Sequence, residues 1–214
     1  MERRSAFKKG AVAKQPEKHV VGAQAPDRPE RRVRADAQRS LDALLLAAKK
    51  VFATSGVDAP VREIADKAGV GLGTLYRHFP QRADLIAAVF RREIDACADI
   101  APVLAASHTP FEALASWMQR YAAFVATKRG LAQALHSGDP AYDNLPSYFD
   151  RRLRPALRPL LEAAVAAGEV RADVDADELL GAVASLGMST HNAAPGRAER
   201  MVALLVDGLR YRAS

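Results

Sequence analysis

The sequence lacks the features that stabilise secreted and membrane proteins. It has one cysteine, Cys97, so no internal disulfide can form, and we expect a reducing compartment, the cytoplasm. Its apolar stretches are short and interrupted by charges, so no contact with a membrane is expected. The basic residues at the N-terminus are not followed by an apolar stretch, so no secretory signal is expected either.

Motifs of enzymes and metal sites are also missing. The histidines do not form a His-Glu-x-x-His pattern, and Cys97 has no histidine and acid placed around it. His136, Asp139 and Asp143 bracket a loop, in which acids are better suited to capping and solvation than to catalysis. The sequence therefore predicts no enzymatic activity, no catalytic residues, no metal site and no cofactor.

The chain is instead rich in alanine and leucine, which favour packed helices, and only 6% of its residues are aromatic. Apolar residues recur at helical spacing from Asp36 onwards, and the sequence shows no convincing strand or internal repeat. This pattern predicts an all-α fold with a small N-terminal helical unit and a larger helical bundle. Beyond Pro102 longer helices are predicted over 111–128, 148–167, 175–188 and 197–212, with a shorter piece over 130–136.

The net charge of +6 is concentrated near the N-terminus. Residues 1–34 hold ten Lys and Arg against four acids, so this segment carries the whole excess and the remainder is neutral. It has prolines and no hydrophobic periodicity, so we expect a disordered arm over 1–34. A basic tail on a neutral body suggests a polyanionic partner, although many basic tails are only solvated.

The stretch GVGLGTLYRHFP, from Gly69 to Pro80, has three glycines at alternate positions before an aromatic and basic segment. A dinucleotide-binding fingerprint follows a strand and needs a glycine at its sixth position, where this chain has Thr74 or Tyr76. The preceding segment is predicted to be helical, and the Gly-Lys-Ser/Thr of a Walker loop is absent. The glycines therefore do not indicate a bound nucleotide.

The same stretch fits a helix-turn-helix, two short helices joined by a tight turn. Ile64 and Ala65 are predicted on the buried face of the first helix, and Gly69 permits the turn. Leu75 anchors the second helix, which is predicted over Leu72–His78. A helix of this kind enters a major groove with its first residues nearest the base edges.

At these residues the sequence resembles the TetR family of bacterial transcriptional regulators. The likeness runs from about Leu41 to Val89 and is strongest over IADKAGVGLGTLYRHFPQRADL. It implies a DNA-binding unit over 35–81 and a ligand-binding, dimerising helical domain over 82–214. It also implies a homodimer that represses transcription from a palindromic operator on double-stranded DNA and is released by a small-molecule effector.

Site residues follow from the resemblance position by position. Tyr76 and His78 take positions that usually contact phosphate, and Arg82 takes the place of a usual lysine at the start of the fourth helix. The family most often has Ser or Thr where this chain has Gly71. With Gly73 also lacking a side chain, the recognition helix begins with little that can read base edges.

Other residues must then supply base contacts or affinity. Leu72 can pack on a thymine methyl, while Arg62 is either a bidentate purine reader or a solvated surface arginine. The arm could enter an adjoining minor groove and supply much of the affinity, so its removal should weaken binding and flatten the salt dependence. The predicted DNA contacts are Arg31, Arg32, Arg34, Arg62, Gly71, Leu72, Gly73, Thr74, Tyr76, Arg77, His78 and Arg82.

The C-terminal helices carry apolar residues that either line an effector pocket or form the core. The candidates for the pocket are Trp117, Tyr121, Phe124, Leu135, Tyr148, Leu157, Met188 and His191. A largely apolar wall would favour an apolar or aromatic effector. The last two helices are the predicted dimer faces, with a stripe of Val183, Gly187, Met201, Leu204, Leu205, Gly208 and Leu209. The alternative function is a helical ligand-binding or protein-interaction module without specific operator recognition.

Overall fold

The computed structural model describes residues 28–127, 138–188 and 196–210, and in these ranges the regular elements are helices without any strand. The predicted all-α fold is confirmed. A 3₁₀ turn over Pro140–Tyr142 precedes the helix that begins at Leu145. The helices are α1 (Arg28–Ser55), α2 (Val61–Ala68), α3 (Leu72–His78), α4 (Arg82–Ser107), α5 (Pro110–Thr127), α6 (Leu145–Ala166), α7 (Ala176–Met188) and α8 (Arg197–Gly208).

The chain divides into two compact units, residues 1–36 and 37–214. The described part of the first unit is helical, because α1 begins at Arg28 and not near Asp36. The prediction of disorder is therefore wrong for residues 28–34, while residues 1–27 lie outside the described ranges. Proline is well tolerated in a first helical turn, where its missing N–H has no partner to lose, and the Arg, Ala and Gln that follow favour helix.

Within the second unit, one hydrophobic cluster joins α1, α2 and α3 to the first turns of α4. Leu44 and Val51 of α1, Ile64 of α2 and Leu75 of α3 are each at most 1% exposed. Full burial of such a side chain contributes about 1.5–3 kcal/mol. The cluster also takes up Leu85 of α4, so the start of that helix belongs to the same core as α3.

A second hydrophobic cluster is built by α4 to α8. Ile86, Phe90 and Ile94 lie on a face of α4 that belongs to this cluster. The same helix therefore supplies side chains to both cores, which fixes the helices before it to the bundle after it. In the described ranges no helix is long and apolar enough to cross a membrane.

Prolines do not end the long helices. The sequence indicated a change of pattern at Pro102, but α4 continues through this residue to Ser107, and α6 contains Pro155 and Pro159. All three prolines are exposed. On a solvent face, water can bond the carbonyl that loses its helical partner, which lowers the usual cost of a proline inside a helix. The predicted helical piece over 130–136 lies outside the described residues.

Candidate nucleic-acid interface

The turn between α2 and α3 is built by glycine. Gly69 has a φ of 68°, a left-handed conformation that residues with a Cβ rarely adopt, and its N–H bonds the last turn of α2. The N–H of Val70 follows with a bond of 3.1 Å to the carbonyl oxygen of Ala65. Gly71 is the N-cap of α3, and its carbonyl oxygen accepts from the N–H of Thr74 at 2.9 Å. This is the helix-turn-helix geometry that the sequence predicted, with α3 over the predicted residues.

One face of α3 is anchored and the other is open. Leu75 is 1% exposed and packs into the first hydrophobic cluster, whereas Tyr76 is 51% exposed. Arg77 is exposed beside it, and His78 is half-buried at the end of the helix. Leu72 and Thr74 are also half-buried. Tyr76 and Arg77 are therefore the most accessible of the predicted contacts of α3, whereas Leu72 packs partly against the first hydrophobic cluster.

The start of α3 carries no side chains at two positions. Gly71 and Gly73 are exposed, and a Cβ placed on either would meet no atom of the described residues within 4 Å. Neither has a positive φ, so internal packing and backbone conformation do not require glycine at these positions. None of the described residues occupies the space in front of them.

The predicted basic contacts outside α3 lie on α1 and α2. Arg62 is exposed on α2, so it is available either to DNA or to water. Arg31, Arg32 and Arg34 are exposed on the part of α1 that belongs to the first unit. The helical start of α1 presents them on a helix, and not on the disordered arm that the sequence predicted.

Arg82 has a different environment from the one expected of a DNA contact. Its Nε donates a hydrogen bond of 2.8 Å to the carbonyl oxygen of Val57, and its Nη2 donates to the carbonyl oxygens of Val57 and Ala59. The side chain is half-buried. The guanidinium thus joins the start of α4 to the loop between α1 and α2, which sequence position alone did not indicate.

Two ion pairs connect α1 to α4, and sequence reasoning missed both. Arg92 lies 2.6 Å from Asp42, and Lys49 lies 2.6 Å from Glu93. The hydrogen bond from Arg92, assisted by Gln38, holds the pKa of Asp42 below its usual value. The partners are far apart in the sequence, so helical periodicity gives no signal for them. Arg92 and Lys49 are exposed and Glu93 is half-buried, and we assign the two pairs no large share of the stability.

Four of the predicted pocket residues are packed in the core of the bundle. Trp117, Tyr121, Phe124 and Leu157 are at most 6% exposed. The rings of Trp117 and Tyr121 are stacked with centroids 5.7 Å apart, and the Trp117 Nε1 donates to the carbonyl oxygen of Cys97 at 2.9 Å. Burial raises the pKa of Tyr121 well above its usual value. These contacts account for the four residues as core, and their part in a pocket stays a prediction.

The other predicted pocket residues are placed differently. The hydroxyl of Tyr148 donates to Asp95 of α4 at 2.7 Å, and Arg152 pairs with Asp95 at 2.7 Å and with Asp99 at 2.6 Å. Burial and the bond to Asp95 raise the pKa of Tyr148. Met188 is the last residue of α7. Leu135 and His191 lie outside the described residues.

The predicted dimer stripe divides between two faces. Val183 and Leu209 are buried in this chain's own core, and Gly187 is buried on α7. These three pack within this chain, because the stripe mixed the inner and outer faces of two helices. Met201 is 37% exposed and Leu204 is 67% exposed on the outer face of α8.

Two sequence families match this chain. The family described as "Bacterial regulatory proteins, tetR family" matches residues 44–89, which include α2, α3 and the start of α4. The family described as "Transcriptional regulator SbtR-like, C-terminal domain" matches residues 109–211. An HTH-type transcriptional regulator of Staphylococcus aureus is 38% identical over 64 residues, which are 29% of this chain and 35% of that protein. The match thus spans about a third of the length of the curated relatives.

Solved structures match over more of the chain. A TetR transcriptional regulator of Streptomyces coelicolor is 38% identical with a TM-score of 0.68, and the match covers 80% of this chain and 99% of that one. A TetR transcription regulatory protein of Mycobacterium vanbaalenii is 36% identical with a TM-score of 0.64, over 84% and 99% of the two chains. The likeness extends through the helix-turn-helix and the bundle, and the chain therefore belongs to the TetR family of transcriptional regulators.

Proposed function

We propose that this protein is a sequence-specific DNA-binding repressor that acts in the cytoplasm as a homodimer on a palindromic operator. A small molecule bound to the C-terminal helices releases it from the operator. The observation that carries the proposal is the helix-turn-helix, in which α3 is anchored by the buried Leu75 and presents an unobstructed outer face. The major groove of DNA is wide enough to admit one α-helix, so α3 can enter it.

The chemistry of α3 favours docking on the DNA backbone. The exposed Tyr76 and Arg77 offer a hydroxyl and a guanidinium for phosphate oxygens, and His78 lies beside them. Base contacts then fall to Leu72, Thr74 and Arg62, of which only Arg62 could make a bidentate bond to guanine. Arg82 is left out of this set because its Nε and Nη2 donate to backbone carbonyl oxygens within the protein.

The outer face of α8 supports the homodimer. Met201, Leu204, Leu205 and Gly208 follow the three- and four-residue spacing of one helical stripe, and Leu204 is 67% exposed. An open groove of about 400 Å³ next to this stripe is lined partly by Leu204, Leu205 and Gly208. Exposed leucine beside glycine suits close packing against a second copy of the same helix.

The effector is proposed to be apolar or aromatic. The bundle holds a chain of neighbouring rings from Phe90 through Phe124 and Tyr121 to Trp117, so any space that opens among them has apolar walls. Trp117 is the only tryptophan of the chain, and its fluorescence reports on this region. Screening apolar and aromatic compounds for quenching of that fluorescence tests the proposal, and a pocket beside Trp117 is refuted if none perturbs it.

The DNA-binding proposal is tested by selection. The full-length protein is mixed with a pool of random-sequence duplexes, the bound duplexes are amplified through several rounds, and the enriched sequence is footprinted. We expect an inverted repeat that protects two half-sites about one helical turn or a multiple of it apart. A promoter carrying that repeat should be repressed by the protein in a reporter strain. If no sequence is enriched, the chain is instead a helical ligand-binding or protein-interaction module.

A further inference from the structure

Arg82 is the first residue of α4, and its side chain turns back into the protein. Its guanidinium donates to the carbonyl oxygens of Val57 and Ala59, in the loop that joins α1 to α2. Ala59 is 4% exposed and directly precedes Pro60, after which α2 begins. The planar fork of a guanidinium suits two fixed acceptors, which a single ammonium group cannot match.

We propose that Arg82 is a positioning residue, which sets the orientation of the helix-turn-helix on α4 and does not bind DNA itself. This inference rests on the proposed function, since it concerns how tightly the protein binds its operator. The resemblance to the TetR family implies that the cation at this position contacts DNA. The contacts of Arg82 point instead to hydrogen bonds within the protein, between the start of α4 and the loop before α2.

The position of these hydrogen bonds explains why they matter for α3. The loop from Gly56 to Ala59 closes on itself through a bond of 3.3 Å between the Ala59 N–H and the Gly56 carbonyl oxygen. The carbonyl oxygen of Ala59, where this loop leads into α2, accepts a hydrogen bond from Arg82. The start of α2 therefore has a fixed place relative to α4. Because α3 follows α2 after a short turn, a shift of α2 would move the exposed face of α3.

The second support of this arrangement is hydrophobic. Leu85 and Val89, one and two turns along α4 from Arg82, pack in the same cluster as Leu75 of α3. Removal of the Arg82 guanidinium therefore leaves the unit folded but frees the loop at one end. The helix-turn-helix makes several contacts with DNA at once. If its orientation on α4 is not fixed, it must be ordered on binding, and this cost lowers the affinity for DNA.

The dependence of DNA affinity on salt separates a positioning residue from a phosphate contact. A residue that neutralises one phosphate contributes about 0.9 to the slope of log K against log salt, whereas a residue that acts through geometry contributes nothing to it. The binding constants of the full-length wild type, R82A, R82K and R77A are measured on the duplex selected by the wild type, over a series of KCl concentrations. Arg77 is exposed on α3 and is the matched control for a surface cation.

We expect R82A to bind about tenfold more weakly at every salt concentration, the loss of one or two charge-assisted hydrogen bonds, with the wild-type slope. R77A should lower the slope by about 0.9 per chain, which is about 1.8 for the homodimer on its operator. If R82A instead lowers the slope by the same amount, Arg82 contacts phosphate and the proposal is overturned. An R82A variant with the affinity and slope of the wild type overturns it as well.

R82K keeps the test valid even if R82A does not fold. Lysine retains the charge but cannot donate in a fixed plane to both carbonyl oxygens, so R82K is expected to bind more weakly than the wild type with the same slope. Full rescue by lysine would mean that only the charge matters, and would refute the positioning role. Circular dichroism at the temperature of the binding assay establishes that each variant is folded. Failure of the wild type itself to select any duplex would refute the proposed function and is thereby distinct from every outcome for the variants.

Discussion

A Cβ atom on Gly187 would lie 2.6 Å from Cγ1 of Val125, so α7 and α5 approach each other here through a glycine. Alanine is a better helix former than glycine by about 0.8–1 kcal/mol, but real Cβ atoms do not come this close to a methyl group. The β-branched Val125 has few alternative rotamers with which to withdraw. Packing between the helices, and not helix propensity, therefore accounts for glycine at this position.

We predict that G187A lowers the free energy of unfolding by about 1–3 kcal/mol, the usual cost of overpacking a core. The control is G181A on the same helix, where a Cβ would meet no atom within 4 Å. G181A should raise the stability by up to about 1 kcal/mol. Urea denaturation measures both variants. In the double variant that combines G187A and V125A, the smaller side chain at position 125 should relieve the destabilisation caused by G187A. If the free-energy changes of the two single variants are additive, the proposed contact between Gly187 and Val125 is contradicted.

The exposed stripe of α8 gives a prediction about assembly. L204E should raise the dissociation constant of the dimer by at least about thirtyfold, because a charge at the centre of an apolar interface costs about 2 kcal/mol or more. Leu204 is largely exposed within the chain, so the fold should remain intact. V103E is the matched control, since Val103 is an exposed apolar residue of α4 outside the stripe. Analytical ultracentrifugation distinguishes the species.

The outcomes for assembly are separable. A wild type that sediments as a monomer at micromolar concentration would refute the homodimer itself. An L204E variant that remains dimeric would show that α8 does not form the interface through this face. Equal dissociation caused by L204E and V103E would also contradict the assignment, because the effect would not be specific to the stripe.

The bare start of α3 predicts opposite changes in stability and in DNA affinity. In G73A the added methyl meets no atom in the part of the chain that the structure describes, so the variant should be more stable by about 0.5 kcal/mol. If the backbone of α3 lies against DNA at this point, the same methyl should weaken operator binding. Thermal unfolding and fluorescence anisotropy measure the two quantities on one protein. A more stable variant with unchanged affinity would show that DNA does not approach Gly73.

The helix-turn-helix could be predicted from the sequence because its signals are local. Gly69 ends α2 in a left-handed conformation, and the apolar Leu75 marks the buried side of α3. Each of these features depends on a few neighbouring residues. The bounds of α3 therefore agreed with the structure, whereas the start of α1 did not, since a charged helix without an apolar stripe has no periodic signal.

The roles of Arg82 and Tyr148 could not be predicted, because their partners are distant in the sequence. Arg82 bonds carbonyl groups of the loop before α2, and Tyr148 donates to Asp95 on another helix. Neither a backbone carbonyl nor an aspartate on a distant helix is marked by its residue type as a partner. Helical spacing likewise placed Val183 and Leu204 in one stripe, although only the packing of α7 and α8 decides which face is outward.

The arginines at the start of α1 give the last prediction. Arg31, Arg32 and Arg34 are exposed, and glutamine in their place removes three charges while keeping good helix formers. If each neutralises one phosphate per chain, the triple glutamine variant should lower the slope of log K against log salt by about 2.7 per chain. Affinity should fall most at low salt. The binding constants are measured on the selected duplex. The control for lost net charge is the triple variant Lys50→Gln, Arg151→Gln and Arg158→Gln, which removes three exposed cations outside the basic segment. A triple variant whose slope equals that of this control would show that the basic segment does not touch DNA.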